Sequence, residues 1–145
     1  MSETIASVLN NKGARIWSID PEATILDAIA LMAEKAIGAL VVVSEGRLVG
    51  IISERDYARK VILQGRSSKD THVREIMTSS VITVSPEKTV DECMRIITNN
   101  RVRHLPVMRD GEVIGVISIG DLVRAIIAEQ AATIDHLHSY IAGKY

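Results

Sequence analysis

The sequence predicts a mixed α/β fold of the α+β type: two tandem units of strand, helix, strand, strand and helix, packed about a pseudo-two-fold axis. Three observations lead there. The chain repeats itself at an interval of 65 residues, and each copy changes its apolar period in the same order. The composition is that of a folded core, with 47% hydrophobic and 24% charged residues in a chain of 145. That length buries enough apolar surface to fold alone, and the absence of phenylalanine makes the core aliphatic.

Residues 16–63 align with 81–128 without a gap, and 12 of the 48 pairs are identical. The identities include Pro21 and Pro86, Thr24 and Thr89, Gly46 and Gly111, Gly50 and Gly115, Ser53 and Ser118, and Asp56 and Asp121. Each copy opens with a short β-branched stretch, IWSID or VITVS, which predicts a strand running up to a proline. TILDAIALMAEK and TVDECMRIITNN then place apolar residues at helical spacing, and Thr89 with Glu92 has the spacing of a capping box. ALVVV and HLPVM, the turns SEGR and RDGE, and the runs LVGIIS and EVIGVIS read as hairpins closed by short glycine-containing turns. Gly50 and Gly115 fall inside these strands, where a missing side chain signals close approach of another segment. A second helix follows, SERDYARKVILQ up to Gly65 in the first copy and SIGDLVRAIIAEQ in the second.

Outside the repeat, SETIASVLNNKG predicts an amphipathic helix capped by Ser2 and stopped by Gly13, with Ile5, Val8 and Leu9 on one face. The link, GRSSKDTHVREIMTSS, is polar and then helical around VREIM, as a spacer that docks. The C-terminal residues extend the last helix, with Ile127, Ile134 and Ile141 seven apart and Leu137 between them. That seam suits packing at home or against a second subunit. The expected division is a helix at 1–13, a unit at 14–65, a connector at 66–77, a unit at 78–128 and an extension at 129–145.

Several classes fall away. A net charge of −1 and a pI near 6.4 lack the basic footprint of a nucleic-acid binder. No apolar run approaches the roughly 20 residues of a membrane span, and the first residues lack a signal-peptide pattern, which predicts a cytoplasmic protein without membrane contact. The single Cys93 has no partner for a disulfide or thiolate metal pair and is expected in the core. His136 and His138 stand about 200° apart around a helix and do not converge on a metal. Neither a phosphate loop nor a dinucleotide fingerprint is present, and no nucleophile, base and acid share an interpretable spacing. No metal site, no catalytic residue and no enzyme activity are expected.

Binding chemistry concentrates in two places. Ser118 and Asp121, like Ser53 and Asp56, have the spacing of a helix cap, which needs no ligand. A helix start is also where a phosphate or hydroxyl group is welcomed, so the cap does not exclude a ligand. The stretch NRVRHLPV carries Arg101, Arg103 and His104, whereas its twin KAIGALVV has Ala36, Gly38 and Ala39. The fold is therefore built once without these cations, and a phosphate is what a guanidinium fork fits.

A duplicated unit of this layout, carrying GIISERD and GVISIGD at the repeat interval, resembles the CBS domain, and the pair resembles a Bateman module over about residues 14–128. The resemblance implies a stand-alone regulatory protein, commonly a homodimer, that binds an adenine nucleotide such as AMP, ADP, ATP or NAD(H) and acts through its own packing or an unidentified protein partner. It implies a main site in the second half: Asp121 on the ribose, Ser118 and Gly120 beside it, Arg103 and His104 on the phosphate, with Leu105 and Pro106 following. Thr78, Ser80, Val81 and Ile82 would form the purine pocket, and Arg101 would point outward or into a subunit interface. A second, weaker or different site would comprise Arg15, Trp17, Gly38, Ala39, Leu40, Ser53, Arg55 and Asp56, with Trp17 either stacking on a base or plugging the cleft. The alternative is a structural dimerisation or scaffold module that binds no ligand.

Overall fold

A computed structural model of the chain describes residues 3–13 and 15–142, without the side chain of Tyr140. Helix α1 (Ile5–Lys12) precedes a first unit of β1 (Ser18–Ile19), α2 (Ile25–Lys35), β2 (Ala39–Ser44), β3 (Arg47–Ser53) and α3 (Glu54–Tyr57). The chain leaves α3 through a π-helical turn at Ala58–Ile62, a widening the helical spacing did not announce. Helix α4 (Val73–Ile76) lies in the link, and the second unit follows as α5 (Val90–Asn100), β4 (His104–Arg109), β5 (Glu112–Ser118) and α6 (Ile119–Ile141). β1 runs parallel to β2, which pairs antiparallel with β3; β4 and β5 form a separate antiparallel pair.

The repeat is visible in local chemistry. Thr24 and Thr89 cap α2 and α5, and Glu92 returns a bond to the Thr89 N–H at 3.2 Å to complete the box. Both helices end on a left-handed residue, Ala36 and Arg101, each with φ near 54°. Both hairpins turn on two positive-φ residues, Glu45–Gly46 and Asp110–Gly111, the backbone that matches the twist of a two-residue hairpin. The Glu54 N–H donates to the Gly38 carbonyl at 3.0 Å, and the Ile119 N–H to the Arg103 carbonyl at 2.9 Å, so the two halves superpose there bond for bond.

The structure corrects two of the predicted elements. Ser2 lies outside the described residues, and the cap of α1 is Thr4, whose hydroxyl accepts from the Ser7 N–H at 3.3 Å. VITVS does not form a strand; it keeps a single parallel bridge, Val84 to Val107. The first unit has a second bridge one residue earlier, between Ser18 and Val41. Its twin would join Thr83 to Pro106, and proline has no N–H to donate.

Two aliphatic cores result, and each borrows a helix from outside its own unit. Ile5, Val8 and Leu9 of α1 pack with Val90, Cys93, Leu105, Ile117 and Leu122 of the second unit. Val73 and Ile76 of α4 pack with Ile25, Met32, Leu40 and Ile52 of the first. Fully burying each such side chain contributes about 1.5–3 kcal/mol. Gly50 and Gly115 are where these helices press on the sheets. A Cβ at Gly50 would stand 2.6 Å from Met77 Sδ, and one at Gly115 2.6 Å from Leu9 Cδ2. Burial pushes the Cys93 thiol up to about 11, as expected of a core residue.

The seam of α6 does not pack at home. Ile127, Ile134, Leu137 and Ile141 are all more than half exposed. No described helix is long and apolar enough to cross a membrane, and no group of His, Cys, Asp and Glu among the described residues is arranged to hold a metal ion.

Candidate functional site

A cavity of about 480 Å³ opens between the halves. Gly38, Ile51, Ser53, Glu54, Arg55, Asp56 and Arg59 line it from the first unit. Thr78, Ser80, Val81 and Ile82 line it from the chain entering the second unit, and Arg101, Val102, Arg103 and His104 from the segment before β4. The volume falls within the range of small-molecule pockets, roughly 300–1,000 Å³.

Local structure explains why these groups converge. The left-handed Arg101 reverses the chain at the end of α5, and the Ile119 N–H anchors the Arg103 backbone, which holds the RVRH segment across the cavity mouth. Thr78 forms an antiparallel bridge with Ile51, its N–H and carbonyl both bonded to that residue at 2.9 and 3.0 Å, which ties the second unit's entry to β3. Asp56 lies on the first turn of α3, where its Oδ2 accepts from the Ser53 N–H at 2.9 Å and from the Ser53 hydroxyl at 3.0 Å. Lys60 reaches Asp56 Oδ1 at 3.2 Å, and 18% of the carboxylate side chain remains exposed. Arg55, Arg59, Arg101 and Arg103 line the same cavity as Asp56, and no ion pair joins any of them to a carboxylate among the described residues.

The geometry regroups the expected residues. Thr78, Ser80, Val81, Ile82, Arg103 and His104 share the cavity with Ser53, Arg55, Asp56 and Gly38, not with Ser118, Gly120 and Asp121. The pseudo-two-fold arrangement sets the capped helix of one half against the entry segments of the other, so a site read within one repeat is divided between two. Arg101, expected to point outward or into an interface, is exposed and also lines the cavity. Leu105 and Pro106, like Ala39 and Leu40, are buried in the sheets. Trp17 packs against the first core with the Lys35 ammonium 4.3 Å from its ring centroid, so it acts as a wall of the core; Arg15 is exposed away from the cavity. Gly120 faces Arg124 and Ser118, its missing Cβ 3.4 Å from the Arg124 guanidinium.

Asp121 occupies a different environment. Its Oδ2 accepts from the Ser118 N–H at 2.9 Å and from the Lys12 ammonium at 2.7 Å, and its Oδ1 from Arg124 at 2.6 Å. Burial pushes this carboxyl up, but Lys12 and Ser118 outweigh it and hold the group below its ordinary value. His104 lines the cavity, with Nε2 3.5 Å from where a Cβ on Gly38 would stand. Burial lowers its pKa first and the charges of Lys12 and Arg103 lower it further, against the pull of Asp121.

The sequence reading missed Ile51, Glu54, Arg59 and Val102 in the cavity lining and Lys12 beside Asp121. Arg59 left a trace, being identical to Arg124 in the repeat and three residues after Asp56. Lys12 left none, because 109 residues separate it from Asp121.

The comparisons with known proteins agree with this architecture. The CBS domain family model matches twice, at residues 13–62 and 73–128. The mitochondrial CBS domain-containing protein CBSX3 of Arabidopsis thaliana is 46% identical over 99% of this chain and 74% of its own length. Among solved structures, a protein with CBS domains from Burkholderia ambifaria is 52% identical over 88% of this chain and 96% of that one, with a TM-score of 0.85. The CBS domain pair of protein MJ0100, in complex with 5′-methylthioadenosine and S-adenosyl-L-methionine, is 25% identical over 89% of this chain and 99% of that one, at a TM-score of 0.80. Twofold repetition, capped helices after paired hairpins and a cleft between the halves thus converge on one conclusion: the chain belongs to the CBS domain family, as a tandem pair.

Proposed function

We propose that this protein is a regulatory, non-catalytic module that binds an adenine nucleotide in the cavity between its halves and signals through its own packing or a protein partner. The observation that carries the reading is the set of four arginines, free of carboxylate partners among the described residues, that line one cavity with the half-buried Asp56. Unpaired cations gathered on a concave surface favour a polyanion, and each guanidinium offers a phosphate two parallel bonds. Asp56 accepts from the ribose diol, Thr78 and Ser80 meet the polar edges of the purine, and Ile51, Val81, Ile82 and Val102 wall its faces. This assigns the main site to Asp56 and leaves Asp121 outside it. The adenosine-derived ligands of the MJ0100 pair support the ligand class. The reading takes the working form as a cytoplasmic homodimer, with the exposed stripe of α6 as the face for a second copy.

That stripe also favours a second reading, in which dimerisation is the whole function and the cavity takes no ligand. Thermal unfolding separates the two. Adenosine, AMP, ADP, ATP, NAD and S-adenosylmethionine are added in turn at low salt; saturation to about 100 times the dissociation constant stabilises by roughly 2.7 kcal/mol, a shift of several degrees. ADP and ATP are expected to outrank AMP, Asp56→Ala to abolish the shift, and Arg103→Ala to weaken the nucleotides while sparing adenosine. No shift with any compound leaves the scaffold reading standing.

A further inference from the structure

We infer that Lys12 closes the second half's counterpart of this cleft and so limits the chain to one nucleotide; the inference rests on the reading of Asp56 as a ligand carboxylate. The two carboxylates are twins in sequence and in capping geometry, but only Asp56 lines the cavity. The difference comes from the helices outside the repeat. The N–H groups of Ile5 and Ala6 bond the carbonyls of Lys88 and Pro86, as those of Val73 and Arg74 bond Ala23 and Pro21, so α1 corresponds to α4. α4 ends at Ile76, and the chain continues extended past Ile51 through Thr78 to Ser80, which forms cavity wall. α1 instead stays helical through Leu9 to Lys12.

Counted along the chain by this correspondence, Lys12 is the counterpart of Ser80, but the helix carries it elsewhere, and its ammonium takes over polar groups of the twin cleft. It donates to the Val116 carbonyl at 2.8 Å, where the twin Ile51 carbonyl receives the Thr78 N–H, and to Asp121 Oδ2 at 2.7 Å. With Arg124 on Oδ1 and Lys12 on Oδ2, the Asp121 side chain is 5% exposed, against 18% for Asp56 beside Lys60. The ammonium covers this carboxylate, and a ribose diol reaches it only when the ammonium leaves. Lys12 itself is 39% exposed, so its removal strips no core contact.

Calorimetric titration of the full chain with ADP tests this. The wild type is expected to take one ADP per chain, Lys12→Met two, and the double variant Lys12→Met/Asp121→Asn one again, with Asp121→Asn alone keeping wild-type affinity within about twofold. Lys12→Gln replaces the methionine variant if circular dichroism shows that the latter has not folded. Two equivalents bound by the wild type, a loss beyond twofold in Asp121→Asn, or no extra ADP taken up on removal of Lys12 each overturns the inference, including the case in which neither protein binds. A wild type that takes none, beside a Lys12 variant that takes one through Asp121, upholds the closure of the Asp121 cleft by Lys12 and overturns both the limit of one nucleotide and the reading of the Asp56 cavity.

Discussion

Asp56 and Asp121 are the same residue of the same motif in two copies of one unit, and they lead different lives. Asp56 lines a cavity together with four arginines; Asp121 is buried under Lys12 and Arg124. Cap geometry does not separate them, since both accept from a serine N–H at 2.9 Å. The separation comes from what the rest of the chain brings to each. The second unit supplies Asp56 with Arg101 and Arg103, while at the matching positions the first unit has Ala36 and Gly38 to offer. Duplication conserves the frame, and divergence at the facing segment decides which frame holds a ligand.

The comparison breaks or sharpens at three further points. The largest effect is expected at the glycines beneath the borrowed helices. Gly50→Ala drives a methyl into Met77 and to 3.0 Å from the Thr78 carbonyl, whereas Gly115→Ala meets only the end of Leu9. Overpacking costs about 1–3 kcal/mol, and the fixed carbonyl puts Gly50→Ala at the upper end and Gly115→Ala at the lower. Urea unfolding of the two variants reads the difference directly; equal losses would mean the helices press on the two sheets alike.

A smaller effect is expected from His104, which has no counterpart in the first unit. Its folded pKa is depressed, so the unfolded chain takes up a proton first as the pH drops through the ordinary histidine value of 6.5. Stability is therefore complete above that value and declines as the pH falls toward the lower folded value. Between pH 7.5 and 5.5, His104→Gln is expected to flatten this decline; an unchanged slope assigns it to other groups.

The smallest effect belongs to Pro106. Pro106→Val restores the donor that Val41 has in the first unit and is expected to extend the Val84 bridge toward Thr83. The gain is about 1 kcal/mol or less, one net hydrogen bond. Hydrogen exchange at residue 106 reports it as a newly protected amide; fast exchange there would show that something other than the missing N–H keeps VITVS from pairing.

The frame of this protein was legible in its sequence because its signals are local. Thr24, Thr89 and Ser53 announce caps within three residues, the paired turn residues announce hairpins, and the 65-residue identity repeats both. The candidate site was legible in its parts, since Arg103, His104, Thr78, Ser80 and Asp56 all stood out by type and position. Their grouping was not legible, because the sequence offers a repeat as a unit while the cleft joins the helix cap of one repeat to the strand entries of the other.

What the sequence by itself determined is thus the pair of units, the aliphatic core and the chemical inventory of the cleft. What only the tertiary structure decided is which carboxylate meets the cations. An ammonium 109 residues away reaches Asp121 across space, and a charge that distant along the chain leaves no periodicity or spacing to read.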